Sequence, residues 1–316
     1  MKKLILSAAA VLLFFSCQND QTDLTNTDTS AVTKRNCASQ DVLEAQLKAD
    51  PSLAIRMNQI EAFTEKAMLT KRLVNGKVVI PVVVNVLYRT AAENISDAQI
   101  QSQIDVLNKD FTATNSDFSN TPALFSGVAA NVGITFELKQ IIRKSTTKTS
   151  WGTTDTMKNA KRGGIAPTSP TTNLNLWVCT IGGGILGYAQ FPGGSSATDG
   201  VAIDSKYFGL SGSANAPYNL GRTATHEVGH WMNLRHIWGD ASCGSDLVSD
   251  TPTHNDANYG VPAYPHYSTC SGTPVEMTMN YMDYTDDNAM FMFSTGQKSR
   301  MSAIFVSGGA RASFGI

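Results

Sequence analysis

HEVGHWMNLRH (residues 226–236) contains three of the five histidines in a chain of 316 residues. On a helix, His226 and His230 are four positions apart, so both rings project from one face, about one turn from each other. Two imidazoles placed this way can share one zinc ion at about 2.0–2.1 Å. Glu227 follows the first, where it can reach a metal-bound water without being a ligand. A carboxylate there can take the proton of a water whose pKa the metal lowers from about 15.7 towards about 7. The short pattern HExxH also occurs by chance on ordinary surface helices, and the third histidine separates the two readings. For His236 to face the same ion, the helix must end between Met232 and Leu234 and the chain must turn back. Asn233 stands at that point, and asparagine is second only to glycine in the left-handed conformation that ends helices this way. Three protein ligands leave a fourth position open, as a catalytic zinc site requires.

The flanking text places this helix in one mixed α/β domain beginning near residue 73. KVVIPVVVNVLY (77–88) is a continuous β-branched run, the pattern of a strand covered on both faces. Ser96 opens a helix, with Gln99 at capping-box spacing and Ile100, Ile104, Leu107 and Phe111 along one apolar stripe. Ile134, Phe136 and Leu138 alternate as a strand does, and LNLWVCTI (174–181) and residues 201–203 supply two more. Hydrophobic residues make up 42% of the chain, enough for a core, and charged residues only 16%, which suits an exported protein. The net charge of −1, from 25 basic and 26 acidic residues, lacks the basic footprint of a nucleic-acid binder. No apolar run reaches the roughly 18 residues of a membrane span.

Three shorter pieces precede the domain. MKKLILSAAAVLLFFSC (1–17) has Lys2 and Lys3 ahead of an apolar stretch at 4–15, the plan of a signal peptide. Ser16 before Cys17, followed by QNDQTD, resembles a bacterial lipoprotein signal. That implies lipidation of Cys17 and an outer-membrane anchor in a Gram-negative-type bacterium, with the lipid as the only membrane contact; ordinary signal-peptidase cleavage would secrete the chain instead. Residues 18–36 read as a solvated tether. Residues 37–72 suggest two short amphipathic helices broken at Pro51, too small to fold alone, and end at the dibasic Lys71-Arg72.

The histidine window resembles the metzincin signature HExxHxxGxxH, with Asn233 in place of the usual glycine. That resemblance implies a role for Met282 in NYMDYTDD (280–287) as the methionine of the turn beneath the zinc. It implies for Tyr284 a hydroxyl that reaches the zinc or the tetrahedral intermediate. HEVGHWMNLRHIWGD (226–240), Cys243, DLVSDTP (246–252), Cys270 and NYMDYTDD together resemble the pappalysin family, including bacterial ulilysin-like members. GGGILGYAQFP (182–192) resembles the family stretch whose strand lines the cleft, which implies substrate binding at Gly187 and Tyr188. The resemblance covers most of residues 73–316. It implies an α+β, metzincin-type zincin, with a twisted mixed sheet and the active-site helix in an upper subdomain and an irregular lower one. The implied activity is that of a monomeric zinc endopeptidase acting on proteins or peptides, with Glu227 as general base. Structural Ca2+ is implied near Asp246 and Asp250; the alternative is a solvated acidic loop. Asp286 and Asp287 would line a primed-side pocket that favours a basic side chain after the cut; the alternative is that they are turn residues. A rival reading, a surface lipoprotein binding peptide or glycan around a non-catalytic zinc, has no use for Glu227.

The cysteines divide by context. Cys243 and Cys270 bracket a 26-residue loop; a bond between them would stabilise by roughly 3 kcal/mol, export permits it, and the family resemblance agrees. Cys179, within an apolar strand, reads as an inert buried thiol. Cys37, in Arg35-Asn36-Cys37, opens the unit that cannot fold alone. A thiolate is a strong zinc ligand. The segment resembles the cysteine switch of latent metzincins, which implies that Cys37 fills the open position until the chain is cut near Lys71-Arg72. The alternatives are that Cys37 merely packs or pairs with Cys179. His254 and His266 have no ligand spacing and are expected in solvent.

Overall fold

The computed structural model of the protein describes residues 34–70 and 78–314. The signal segment with Cys17, the tether up to residue 33 and Lys71-Arg72 lie outside those residues. Two N-terminal helices, α1 (Ser39–Ala49) and α2 (Ser52–Leu69), flank Pro51 as expected, although α2 is the longer of the two at 18 residues.

The β-branched run is β1 (Val78–Tyr88), and α3 (Asp97–Phe111) follows it. The Ser96 hydroxyl caps α3 by accepting from the Gln99 amide at 3.1 Å. The reciprocal half of the box is absent, because the Gln99 side chain donates instead to the Phe208 carbonyl at 2.8 Å. A short α4 (Ala123–Ser126) and β2 (Ala129–Ala130) precede β3 (Ile134–Ser145), β4 (Leu174–Cys179), β5 (Gly187–Ala189) and β6 (Val201–Asp204). The main sheet has the order β3-β1-β4-β6-β5. β1, β3, β4 and β6 run parallel, and β5 is an antiparallel edge.

Period-two alternation assigns the faces. Leu174, Leu176, Val178, Val201 and Ile203 point into the main core with Ile100, Ile104, Leu107 and Phe111 of α3. Trp177, Cys179, Tyr188 and Ala202 point to the other face, against Trp151 and Met157. The helix after β6, α5 (Arg222–Trp231), lies on the main-core side, where Ala224 and Val228 join the cluster. Beyond it the chain is irregular until β7 (Phe293–Ser294) and α6 (Thr295–Ala303), apart from one 3₁₀ turn at Asp287–Ala289. The fold is thus the mixed sheet with an active-site helix over an irregular second half that the sequence led us to expect.

Cys243 and Cys270 are bonded, and Cys179 is a free, buried thiol. His254 departs from expectation. It is fully buried rather than solvated: its Nε2 accepts from the Met277 amide at 3.0 Å and its Nδ1 faces Asp283 Oδ2 at 3.5 Å. Asn258 Nδ2 ties the cluster together by donating to Glu276 at 2.8 Å and Asp283 at 3.0 Å. Burial pushes the Asp283 carboxyl up to about 7 and the His254 imidazole down to about 4. Glu276, Met277 and Asp283 lie more than 20 residues along the chain, so nothing in the local text placed His254 inside. His266 is half-buried, 3.6 Å from Glu276.

Removing the helix cap tests this account of α3. Ser96→Ala should lower unfolding stability by about 1 kcal/mol in a urea titration, with the m-value unchanged. A loss below the error of the extrapolation would mean that packing alone fixes the start of the helix.

Candidate metal centre

α5 ends where the sequence required. Asn233 adopts φ 72°, its amide donates to His230 O at 2.9 Å, and the Leu234 amide donates to Gly229 O at 3.0 Å. This pair of bonds is a Schellman motif, which satisfies the last carbonyls of the helix while reversing the chain. The reversal returns His236 to the helix face. Nε2 of His230 lies 3.1 Å from Nε2 of both His226 and His236. Tetrahedral ligands at about 2.0–2.1 Å from one zinc stand about 3.3 Å apart, so the spacing fits a single ion.

Each ring is oriented by an acceptor at Nδ1: Tyr281 O at 2.7 Å for His226, Leu234 O at 2.8 Å for His230 and Asp240 Oδ1 at 2.5 Å for His236. These acceptors keep the ring proton on Nδ1 and leave the Nε2 lone pairs convergent. Burial, reinforced by the neighbouring rings, holds His226 well below the usual imidazole range and His230 near about 3. Trp238 stacks on His236 at 4.3 Å and 9°. Met282 is fully buried beneath the helix. A Cβ on Gly229 would come within 2.5 Å of its Sδ, so a larger residue there would push the Met282 side chain aside. The Met282 carbonyl accepts from the Ile237 amide at 3.1 Å, which fixes this turn to the residue after the third histidine.

Cys37 completes the cluster. Its Sγ and one nitrogen from each histidine lie within 4.8 Å of one another, and this is the one such group of possible metal-holding residues among the described residues. Three imidazoles and a sulfur are a donor set suited to zinc. Glu227 is buried beside them, with Oε2 accepting from Ser39 Oγ at 2.8 Å and Cys37 Sγ at 3.3 Å. Burial pushes its carboxyl up to about 7 against the opposing pull of Ser39, Cys37 and Arg35. Burial, with the charge of Glu227 adding, pushes the Cys37 thiol well above its usual range. The Tyr284 hydroxyl donates to the Cys37 carbonyl at 3.1 Å.

The N-terminal segment runs along the sheet edge. The Leu186 amide donates to Asn36 O at 2.9 Å, the Ala38 amide to Gly187 O at 3.1 Å, and the Ala189 amide to Ser39 Oγ at 2.8 Å. Cys37 pairs with Gly187 as a parallel bridge. The cleft-facing backbone groups therefore belong to residues 186, 187 and 189. Tyr188 pairs inward with β6, and its hydroxyl donates to Asp155 at 3.0 Å on the far face.

Arg35 and Asn36, expected in the solvated tether, lie in the cleft because Arg35 finds a buried carboxylate. Its Nη2 is 2.5 Å from Asp287 Oδ1, and Nε donates to Thr285 O at 3.1 Å. The other oxygen of Asp287 accepts from the Leu220 and Arg222 amides at the start of α5. Asp286 stands half-buried at the rim. Further along the segment, Glu61 of α2 forms a two-point ion pair with Arg300 of α6, whose Nε donates to Asn233 O at 3.1 Å.

Asp246 and Asp250 are held by donors of the protein itself. Asp246 accepts from the Val248 amide and Thr251 Oγ1, and Asp250 from Ser294 Oγ and the Gly296 amide. The sequence reading missed Asp240, Gly229, Ser39 and Arg35. A carboxylate four residues past His236 was the one available signal among them.

The family model for pregnancy-associated plasma protein-A, the M43 peptidases, matches residues 178–306. An extracellular metalloprotease of Coccidioides posadasii is 35% identical over 222 residues, 67% of this chain and 70% of its own. The chain belongs to the pappalysin family. Among solved structures, mature mirolysin of Tannerella forsythia in complex with a cleaved peptide is 44% identical. It covers 77% of this chain and 97% of its own, with a TM-score of 0.75. A promirolysin mutant from the same organism is 41% identical, covering 89% of this chain and 97% of its own, with a TM-score of 0.81. The protein is accordingly a metalloendopeptidase of the metzincin fold that acts on proteins or peptides, and its pappalysin membership implies a metal at the histidine cluster.

The turn at Asn233 yields a test. Its side-chain Nδ2 is buried without a hydrogen-bond partner, and its φ is one that glycine adopts freely. Asn233→Gly should raise stability by about 1 kcal/mol and retain metal stoichiometry. Loss of bound metal by elemental analysis would show that the asparagine side chain, not the turn, sets the position of His236.

Proposed function

We propose that this chain is an exported zinc endopeptidase made as a latent zymogen, in which residues 37–72 are the pro-segment and residues 73–316 the catalytic domain. One observation carries the reading: three Nε2 atoms converge beside a buried glutamate, and the sulfur of a separate N-terminal segment takes the remaining corner. The promirolysin match also extends over more of this chain than the mature mirolysin match, by about the length of residues 34–70. Export rests on the signal-like residues 1–17 and on relatives named extracellular; the chain is secreted or anchored through Cys17.

Zinc held by His226, His230 and His236 supplies, when bound, a Lewis acid for the scissile carbonyl and the attacking water. The rest is done by side chains and backbone. Once Ser39 and Cys37 leave, Glu227 Oε2 is free to accept the proton of the attacking water and return it to the leaving amine. The Tyr284 hydroxyl, released from the Cys37 carbonyl, is free to donate to the developing oxyanion. Gly187 O and the Leu186 and Ala189 amides offer an open sheet edge on which an extended peptide adds as a strand. Asp287, buried and paired with Arg35 in the latent form, selects a basic side chain on the primed side.

Glu227→Gln should retain stoichiometric zinc and lose about 10²- to 10⁴-fold in kcat on an unfolded protein substrate. Full activity in that variant, or carefully dialysed wild type without a transition metal, would sink the assignment. Latency has its own assay. Full-length Cys37→Ala should cleave peptide slowly but measurably before any shortening of the chain appears on a denaturing gel, because the other contacts of the segment remain, whereas the wild type should stay silent until it is shortened.

A further inference from the structure

The Lys34-Arg35 pair shows more than the Asp287 pocket. With Arg35 seated on Asp287, the Lys34 Nζ stands 4.9 Å from the centre of the Tyr259 ring, over its face. Tyr259 is no loose surface aromatic. The following residue, Gly260, bridges to Thr285, and the Asp286 amide donates to Gly260 O at 2.9 Å, so the loop is bound to the strand of chain that leads into Asp287. The Tyr259 ring also lies 5.9 Å from that of Tyr284, in a tilted arrangement. It nevertheless keeps 40% of its surface exposed, with one face available to a cation.

We propose that Tyr259 is a specificity-determining residue. Its face is a second subsite, one residue further from the scissile bond than the Asp287 pocket, and it takes a lysine or arginine side chain by cation–π attraction. The inference rests on the reading of Asp287 as a primed-side pocket. The N-terminal segment runs parallel to β5, so its order along the cleft is the reverse of the antiparallel strand expected of substrate. A one-residue step of extended chain is only about 3.3–3.6 Å, and a basic side chain is long and flexible, so either chain direction delivers a cation to the same ring. The sequence offers such a pair again. Thr33-Lys34-Arg35 recurs as Thr70-Lys71-Arg72, the stretch near which the pro-segment is cut. The enzyme thus favours sites followed by two consecutive basic residues over sites followed by one.

The test uses enzyme matured from the full-length chain and two series of internally quenched peptides. One holds arginine immediately after the cut and varies the next residue among lysine, alanine and glutamate. The other holds alanine at that second position and varies the first between arginine and leucine. The wild type should favour lysine over alanine at the second position by about two- to fivefold in kcat/KM, chiefly through KM. Tyr259→Phe should keep that ratio and Tyr259→Leu should bring it to one, while both retain the arginine-over-leucine preference at the first position. Equal rates for lysine, alanine and glutamate in the wild type, or a lysine preference that survives in Tyr259→Leu, would overturn the proposal. Loss of the first-position preference in the wild type would instead show that the Asp287 reading had failed.

Discussion

A left-handed residue at the end of one helix governs this molecule. Two histidines on successive turns of α5 can grip an ion from one side only; the third must come from a chain that has doubled back. Asn233 makes that possible at the expense of a conformation most residues avoid, and its surroundings are built to hold it. The Gly229 and His230 carbonyls receive the two reversing amides, Arg300 grips the Asn233 carbonyl, and the Met282 turn fastens to Ile237 just past His236. Gly229 is doubly committed. Its carbonyl closes the Schellman motif, and its missing Cβ leaves room for the Met282 sulfur. Ligand geometry here is a property of backbone turns, with the imidazoles as their readout.

The N-terminal segment engages several parts of the apparatus at once. Cys37 stands at the metal corner, Ser39 on the oxygen of Glu227, the Cys37 carbonyl on the Tyr284 hydroxyl and Arg35 on Asp287. Each contact occupies a group that our proposed mechanism needs free. The segment also shields the carboxylate of Glu227 from water, and that burial raises its proton affinity. Such a plug relies on many modest contacts rather than one bond, so cutting the chain between plug and domain can release all of them together.

How far the sequence could be read depended on the range of the interaction. The His226–His236 spacing, the β-branched run of β1 and the Ser96 cap are local, and each produced the element or turn it implied. β5 is three residues long, too short for any alternation to register, and the resemblance of its flanks to known cleft strands was the only clue. Arg35 meets Asp287 across 252 residues. Its side chain looked like tether chemistry until the fold closed around it. His254 is the same lesson in reverse: a histidine in a loop rich in proline, asparagine and tyrosine is drawn inside by two carboxylates that the local text could not supply.

The shortness of β5 has a consequence for the enzyme once it is open. A sheet border that welcomes any extended peptide equally invites other copies of the protein, and long flat borders of that kind nucleate aggregates. Here the vacant rim spans only Gly187–Ala189 before the chain departs from the plane. A visiting strand gains a grip just long enough to be held across a reactive centre, and a neighbouring molecule finds too little frontage to stay.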